Sequence, residues 1–360
     1  MKRILFIIVL FLFAGFAAVS IVKNKVNKDL NQPVYSPTTI PTPSLSPIKI
    51  KGKASLSLFV PYWTLNNSVI DANEFDKLIY FGVKPDKQGI SPDDEELKKF
   101  NESRPADSTV WLAVRMTDNQ ENLSILGDGQ LEQKIVDQSI AAAVNNNMSG
   151  VVLDLEISAI PFESLTKQIN KFSSLFYTES KKSELSYSLT LYGDSLYRSR
   201  PYEIKTLAQN ADSVMIMAYD LSKANGNPGP NFPLTGHEKY GYDLGQMSDD
   251  FLQFVPAGKI NVVFGLFGYD WIVDDKGNMT KAATSLTFSQ IKQKFLDNCD
   301  FNDCKISRDT QAGETNISYV DRDNNKHLVW FEDMESVAQK EDYLKQRGIN
   351  SFSYWAYSYY

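Results

Sequence analysis

The segment Ser149–Ser158, SGVVLDLEIS, constrains this chain more than any other. It is an apolar run that abruptly carries two acids, Asp154 and Glu156. Side chains alternate along a strand, so residues two apart point the same way. As a strand, the segment puts Val152, Asp154 and Glu156 on one face and Val151, Leu153 and Leu155 on the other. Buried charge costs several kcal/mol unless it is paired, hydrogen-bonded or neutralised. Carboxylates held close together push their pKa values apart, which suits acid–base chemistry. A buried strand that merely ends in acids where it meets solvent would look the same, so this segment alone leaves both readings open.

With 360 residues, 42% hydrophobic and 12% aromatic, the chain has ample material for one large domain or two small ones. The formal net charge is -7 and no basic block stands out. Nucleic acid is therefore excluded as a partner, and an uncharged substrate fits the balance better than a polyanion. The two histidines, His237 and His327, lie far apart and outside any metal-ligand spacing. Both are expected in loops, and neither a metal nor a cofactor is expected. Cys299 and Cys304, in CDFNDC, are candidates for a small disulfide loop outside the cytoplasm, with two free thiols as the alternative.

Lys2 and Arg3 precede an apolar run from Ile4 to Val22. At ~1.5 Å rise per residue this run can about span a bilayer. Ala18–Ser20 resembles a small-residue cleavage site, and Lys23, Lys25 and Lys28 follow. Residues 1–26 are read as a signal anchor, or a signal peptide if cut, leaving the bulk of the chain extracytoplasmic and attached to the membrane or secreted. Residues 27–53 carry Pro33, Pro37, Pro41, Pro43 and Pro47 among Ser and Thr, the composition of an extended linker. The folded part is expected over residues 54–360, as a monomer.

Eight β-rich runs begin at Leu56, Lys77, Val110, Gly150, Leu185, Ser213, Ile260 and Ser351. Several are apolar on both faces, as buried parallel strands are. Helical patterns intervene: Leu131–Asn147; Leu165, Ile169, Phe172 and Phe176 at helical spacing; and Ser336–Arg347, stopped by Gly348. This alternation predicts an α/β fold, a (β/α)8 TIM barrel. A doubly wound open sheet is the runner-up, and no Gly-rich phosphate loop supports it. Residues about 270–330 are too many for a plain crossover, and predict a small α+β insertion between strands seven and eight. Barrel sites lie at the C-terminal ends of the strands. There the sequence places Tyr62 and Trp63, Asp154 and Glu156, Tyr192, Tyr219 and Asp220, Tyr269 and Trp271, and Trp355. Acids within a ring of aromatics describe a sugar-binding cleft.

With these residues in view, the chain resembles glycoside hydrolase family 18, the chitinase-like family. The family signature DxxDxDxE is similar to SGVVLDLE, which keeps Asp154 and Glu156 but has Ser149 and Val152 in place of the first two acids. The MxYD signature is matched by Met217, Ala218, Tyr219 and Asp220, and the tryptophan ending the eighth strand by Trp355. FGLFGYDW and VWFEDMESVAQK resemble the branch of bacterial spore-germination and cortex-fragment-lytic N-acetylglucosaminidases. The resemblance implies hydrolysis of β-1,4-linked N-acetylglucosamine, in peptidoglycan fragments or chitin, with the substrate's own acetamido oxygen as nucleophile. It implies Glu156 as proton donor and then base, Asp154 orienting the acetamido N–H, and Tyr219 bonding its carbonyl. Trp355 would floor the sugar site, with Met217 and Asp220 shaping it. A non-catalytic surface lectin is the alternative. Where the family carries an acid that shares a proton with Asp154, Val152 implies drier surroundings for that carboxyl.

Overall fold

The computed structural model describes residues 53–66, 69–91 and 94–360. The expected anchor, and all of the expected linker except its last residue, lie outside the described residues. Among the described residues no helix is long and apolar enough to cross a membrane.

The strands are β1 (Ser55–Pro61), β2 (Lys77–Val83), β3 (Thr109–Met116), β4 (Gly150–Leu155), β5 (Ser186–Tyr192), β6 (Ser213–Ala218), β7 (Ile260–Gly265), β8 (Phe267–Val273), β9 (Thr284–Thr287), β10 (Asn302–Asp309), β11 (Glu314–Val320), β12 (Lys326–Phe331) and β13 (Ser351–Trp355). A closed parallel barrel runs β1-β13-β7-β6-β5-β4-β3-β2. The (β/α)8 expectation holds, and closure disposes of the open-sheet alternative.

Alternation along the strands builds two apolar layers. Leu58, Val60, Leu112, Val114, Val151 and Leu153 face outward and join the core under the helices. Phe59, Ile79, Trp111, Ala113, Val152 and Met215 face inward and fill the barrel. Near the N-terminal ends of the strands the interior turns polar, with Asn261 bonded to both Ser351 and Ser353 at 2.8 Å. The outer helices start where a side chain can satisfy the first free amides. Asp94, Asp128, Asp243 and Asp333 each accept a backbone N–H from the turn they cap. The Glu163–Lys182 helix buries Leu165, Ile169, Phe172 and Phe176 almost completely, in the spacing expected of one apolar stripe.

Between β7 and β13 lies a five-stranded antiparallel sheet, ordered β10-β11-β12-β8-β9, with its own core of Ile291, Phe295, Ile317, Tyr319, Val329 and Phe331. It begins at Phe267, earlier than the expected residue 270. The chain leaves the barrel at Leu266, whose N–H bonds Trp355 O at 2.8 Å. The run INVVFGLFG is apolar on both sides of that point, so its pattern does not mark the change of sheet. A Cβ on Gly268 would stand 2.1 Å from Trp330 O, so β12 pairs with β8 at a separation only glycine permits. Cys299 and Cys304 are joined by a disulfide at the edge of this core.

The histidines are not simple loop residues. His327 lies in β12, stacked on Tyr319 and bonded through its two ring nitrogens to Asp270 and Asp321. His237 opens a four-residue helix, His237–Tyr240. The expectation failed for His327 because Asp270 lies 57 residues away and meets it only through the β8–β12 pairing. One further buried feature ties the sheet to the barrel. Lys340, on the Met334–Lys345 helix, is wholly buried and pairs with Glu314 at 2.7 Å and Glu332 at 2.6 Å. Glu314 also accepts the backbone N–H groups of Asn231 and Phe232.

Candidate active site

β4 carries Val152, Asp154 and Glu156 up one inward face. Val152 is sealed in the barrel interior, and the two acids emerge into a cavity of about 250 Å³ at the C-terminal mouth. The backbone around Glu156 is held from both sides. Its N–H donates to Met116 O at 2.8 Å, and its carbonyl accepts from Asn122 Nδ2 at 2.8 Å. The Tyr202 hydroxyl donates to Leu155 O at 2.8 Å and accepts the Ile157 N–H at 2.7 Å. These bonds fix the carboxyl's point of departure, which proton transfer over a few tenths of an ångström requires.

Asp154 is 2% exposed and accepts a hydrogen bond from Thr190 Oγ1 on β5. Burial, reinforced by the charge of Glu156, pushes its carboxyl up to about 8, against the pull of Thr190 and Arg115. Glu156 is half-buried and accepts from the Tyr192 hydroxyl at 2.7 Å. Burial and the charge of Asp220 raise it above the usual carboxylate range, opposed by the Tyr192 bond, Lys223 and Arg200. The shift of Glu156 is in the direction a general acid needs.

Tyr219 and Asp220 leave the end of β6. Burial and the adjacent acids hold the Tyr219 phenol well above its ordinary value, so it stays a donor. Asp220 adopts φ 59° and is locked there, its N–H donating to Asn231 Oδ1 at 2.8 Å and its carboxylate accepting from Tyr269 at 2.8 Å. Trp355 closes the floor, with ring centroids 4.7 Å from Phe81 and 5.7 Å from Phe59.

Of the residues singled out from sequence, Trp63, Asp154, Glu156, Met217, Tyr219, Asp220 and Trp355 line this one cleft. Tyr192 stands behind it, touching Glu156 through its hydroxyl, and the Tyr62 ring packs against Trp63. Tyr269 is placed on β8 as the support of Asp220 rather than as a lining residue. Trp271 is wholly buried and unavailable to a sugar, which corrects the expectation of a contact there. Both errors follow from reading β8 as the tail of β7. Sequence reasoning missed Arg115, Thr190, Phe59, Phe81 and Phe267, which also line the cleft. The same-face rule applied to β3 and β5 would have found the first two: Arg115 lies two beyond inward Ala113, and Thr190 two before Tyr192.

The chain is similar to solved structures and curated proteins of one kind. The class V chitinase from Nicotiana tobaccum superposes with a TM-score of 0.72 at 16% identity, covering 84% of this chain and 94% of that one. The Bacillus cereus spore cortex-lytic enzyme SleL superposes with a TM-score of 0.68 at 19% identity, covering 86% and 72%. These likenesses concern the fold. The cortical fragment-lytic enzyme of Bacillus subtilis (strain 168) is 24% identical over 276 residues, 74% of this chain and 60% of that protein. The chain thus spans less than two thirds of that relative's length. Residues 58–359 match the model of glycosyl hydrolases family 18, from β1 to the end of the barrel, and the chain belongs to that family.

Proposed function

We propose that this protein hydrolyses β-1,4-linked N-acetylglucosamine in peptidoglycan fragments or chitin by substrate-assisted, retaining catalysis. Glu156 protonates the departing glycosidic oxygen while the substrate's acetamido oxygen attacks the anomeric carbon. Asp154 orients the acetamido N–H and, once ionised, balances the positive charge that develops on it. Tyr219 donates to the acetamido oxygen, and Trp355 carries the sugar's C–H face. Glu156, now ionised, takes a proton from the water that opens the oxazolinium ring, and configuration is retained. The observation that carries this reading is the convergence of two raised carboxyls, from successive inward positions of one strand, on a cleft floored by tryptophan. The chitinase and cortical fragment-lytic names of its relatives support the substrate class. We place the domain outside the cytoplasm, tethered or released by residues 1–26. The Cys299–Cys304 disulfide supports that compartment.

The test is release of reducing ends from N-acetylglucosamine oligomers by the purified chain. Glu156→Gln is expected to lower kcat by ~10²–10⁴-fold, with an unchanged melting temperature. Oligomer binding by calorimetry without any product, across a broad pH range, would replace this reading with a lectin.

A further inference from the structure

Arg115 is the one cation among the cleft's lining residues, and its charge acts on Asp154 without a direct bond between them. It stands on β3 directly beside Asp154 of β4 in the strand register. Yet among the described residues it forms no ion pair, and its Nε is buried without a hydrogen-bond partner. Its guanidinium lies 5.3 Å from the Tyr62 ring centroid and 5.9 Å from that of Phe81. Arg198 and Arg200 pair with Asp194, Arg308 with Asp333, and Arg347 with Asp249, whereas Arg104 bonds only a backbone carbonyl, that of Asn146. A guanidinium half-removed from water and left unpaired is costly. Three acids line the same cleft, so an arginine serving only as countercharge had partners to take. It stands instead between two aromatic rings, with its Nε unpartnered.

We propose that Arg115 is a substrate-selecting residue that binds a carboxylate carried by the glycan next to the acetamido sugar. This inference rests on the hydrolase reading above and narrows it to anionic peptidoglycan strands. Chitin offers hydroxyls and acetamides alone. In peptidoglycan whose stem peptides have been removed, the alternate sugar bears a lactyl ether whose free carboxylate is ionised at neutral pH. A guanidinium takes such a group through two parallel N–H···O bonds, which a lysine cannot reproduce. The chain's net charge of -7 gives no general attraction for anions, so the selection is local to this position.

The experiment uses the full chain as wild type, Arg115→Met and Arg115→Lys. Three substrates are compared: a peptide-free glycan with its lactyl carboxylates, the same glycan with those carboxylates reduced to alcohols, and chitotetraose. The wild type is expected to favour the carboxylate glycan over its reduced form by about 10- to 100-fold in kcat/KM, the range of a charge-assisted pair. Arg115→Met should lose that preference, the loss falling on the KM of the carboxylate glycan, while Arg115→Lys keeps part of it. Equal turnover of the two glycans by the wild type, or an equal loss on both in Arg115→Met, overturns the assignment. If the wild type cleaves none of the three, the hydrolase reading fails separately. Calorimetric titration of the two glycans then decides Arg115: a tenfold or greater affinity difference that vanishes in Arg115→Met sustains it, and equal affinity ends it.

Discussion

Tyr192→Phe isolates one bond in the proposed proton donor's environment. The substitution keeps the ring that Arg200 covers at 3.8 Å and removes only the hydroxyl that donates to Glu156 Oε2 at 2.7 Å. That bond favours the carboxylate form, so losing it makes the proton harder to release and raises the Glu156 pKa further. A hydrogen bond to a charged group contributes ~1.5–3 kcal/mol. Glu156 is only half-buried, and water replaces part of the lost bond. The lower end, about 1.5 kcal/mol, corresponds to about one pKa unit. The alkaline limb of the pH profile of kcat/KM should therefore move up by about one unit. Asp154 and Glu156 interact, so the limb belongs to the pair, and the direction is the same whichever carboxyl loses its proton first. The assay is kcat/KM on N-acetylglucosamine oligomers at closely spaced pH values, for wild type and variant. A limb that stays in place or moves to lower pH refutes the reasoning, because a merely structural tyrosine would alter the plateau without displacing the limb.

Other expectations follow from burial. Asp154 keeps its proton up to about 8 in the native state against an ordinary value of 3.8, so between those values the unfolded chain releases a proton that the folded chain retains. Stability then falls as pH rises through that window, and Asp154→Asn should flatten the decline in urea-melt free energies measured across it. Val152→Asp would place a second carboxyl among Phe59, Ile79, Trp111 and Met215. It is expected to destabilise by about 3 kcal/mol, increasingly at high pH, and an unchanged urea midpoint would contradict that. Lys340→Met leaves Glu314 and Glu332 buried without their cation and should lose ~3–5 kcal/mol in the same assay. Converting both glutamates to glutamine alongside it should recover much of that loss.

The barrel was legible because buried parallel strands are apolar on both faces, and eight such runs alternate with helical stripes. The inward set of β4 was legible for the same reason: a period of two, broken only by Asp154 and Glu156. The boundary between β7 and β8 was not, since Phe264, Leu266 and Phe267 are apolar and buried on both sides of it. Tyr269 and Trp271 were consequently assigned to the sugar, when one steadies Asp220 and the other fills the interior. Asn122 bonds the Glu156 carbonyl from 34 residues away and Tyr202 the Ile157 amide from 45, and no local pattern announces either. His327 likewise finds Asp270 only because β12 pairs with β8.

The anchorage of Glu314 limits how this protein can be rebuilt. Excising the sheet between β7 and β13 would take away one of the two anions on Lys340, the acceptor for the Asn231 and Phe232 amides, and the phenol bracing Asp220. A trimmed barrel would thus lose the rigging of its own reaction chamber. Re-tailoring of that wall has to proceed by swapping side chains on the standing sheet, not by cutting the sheet away.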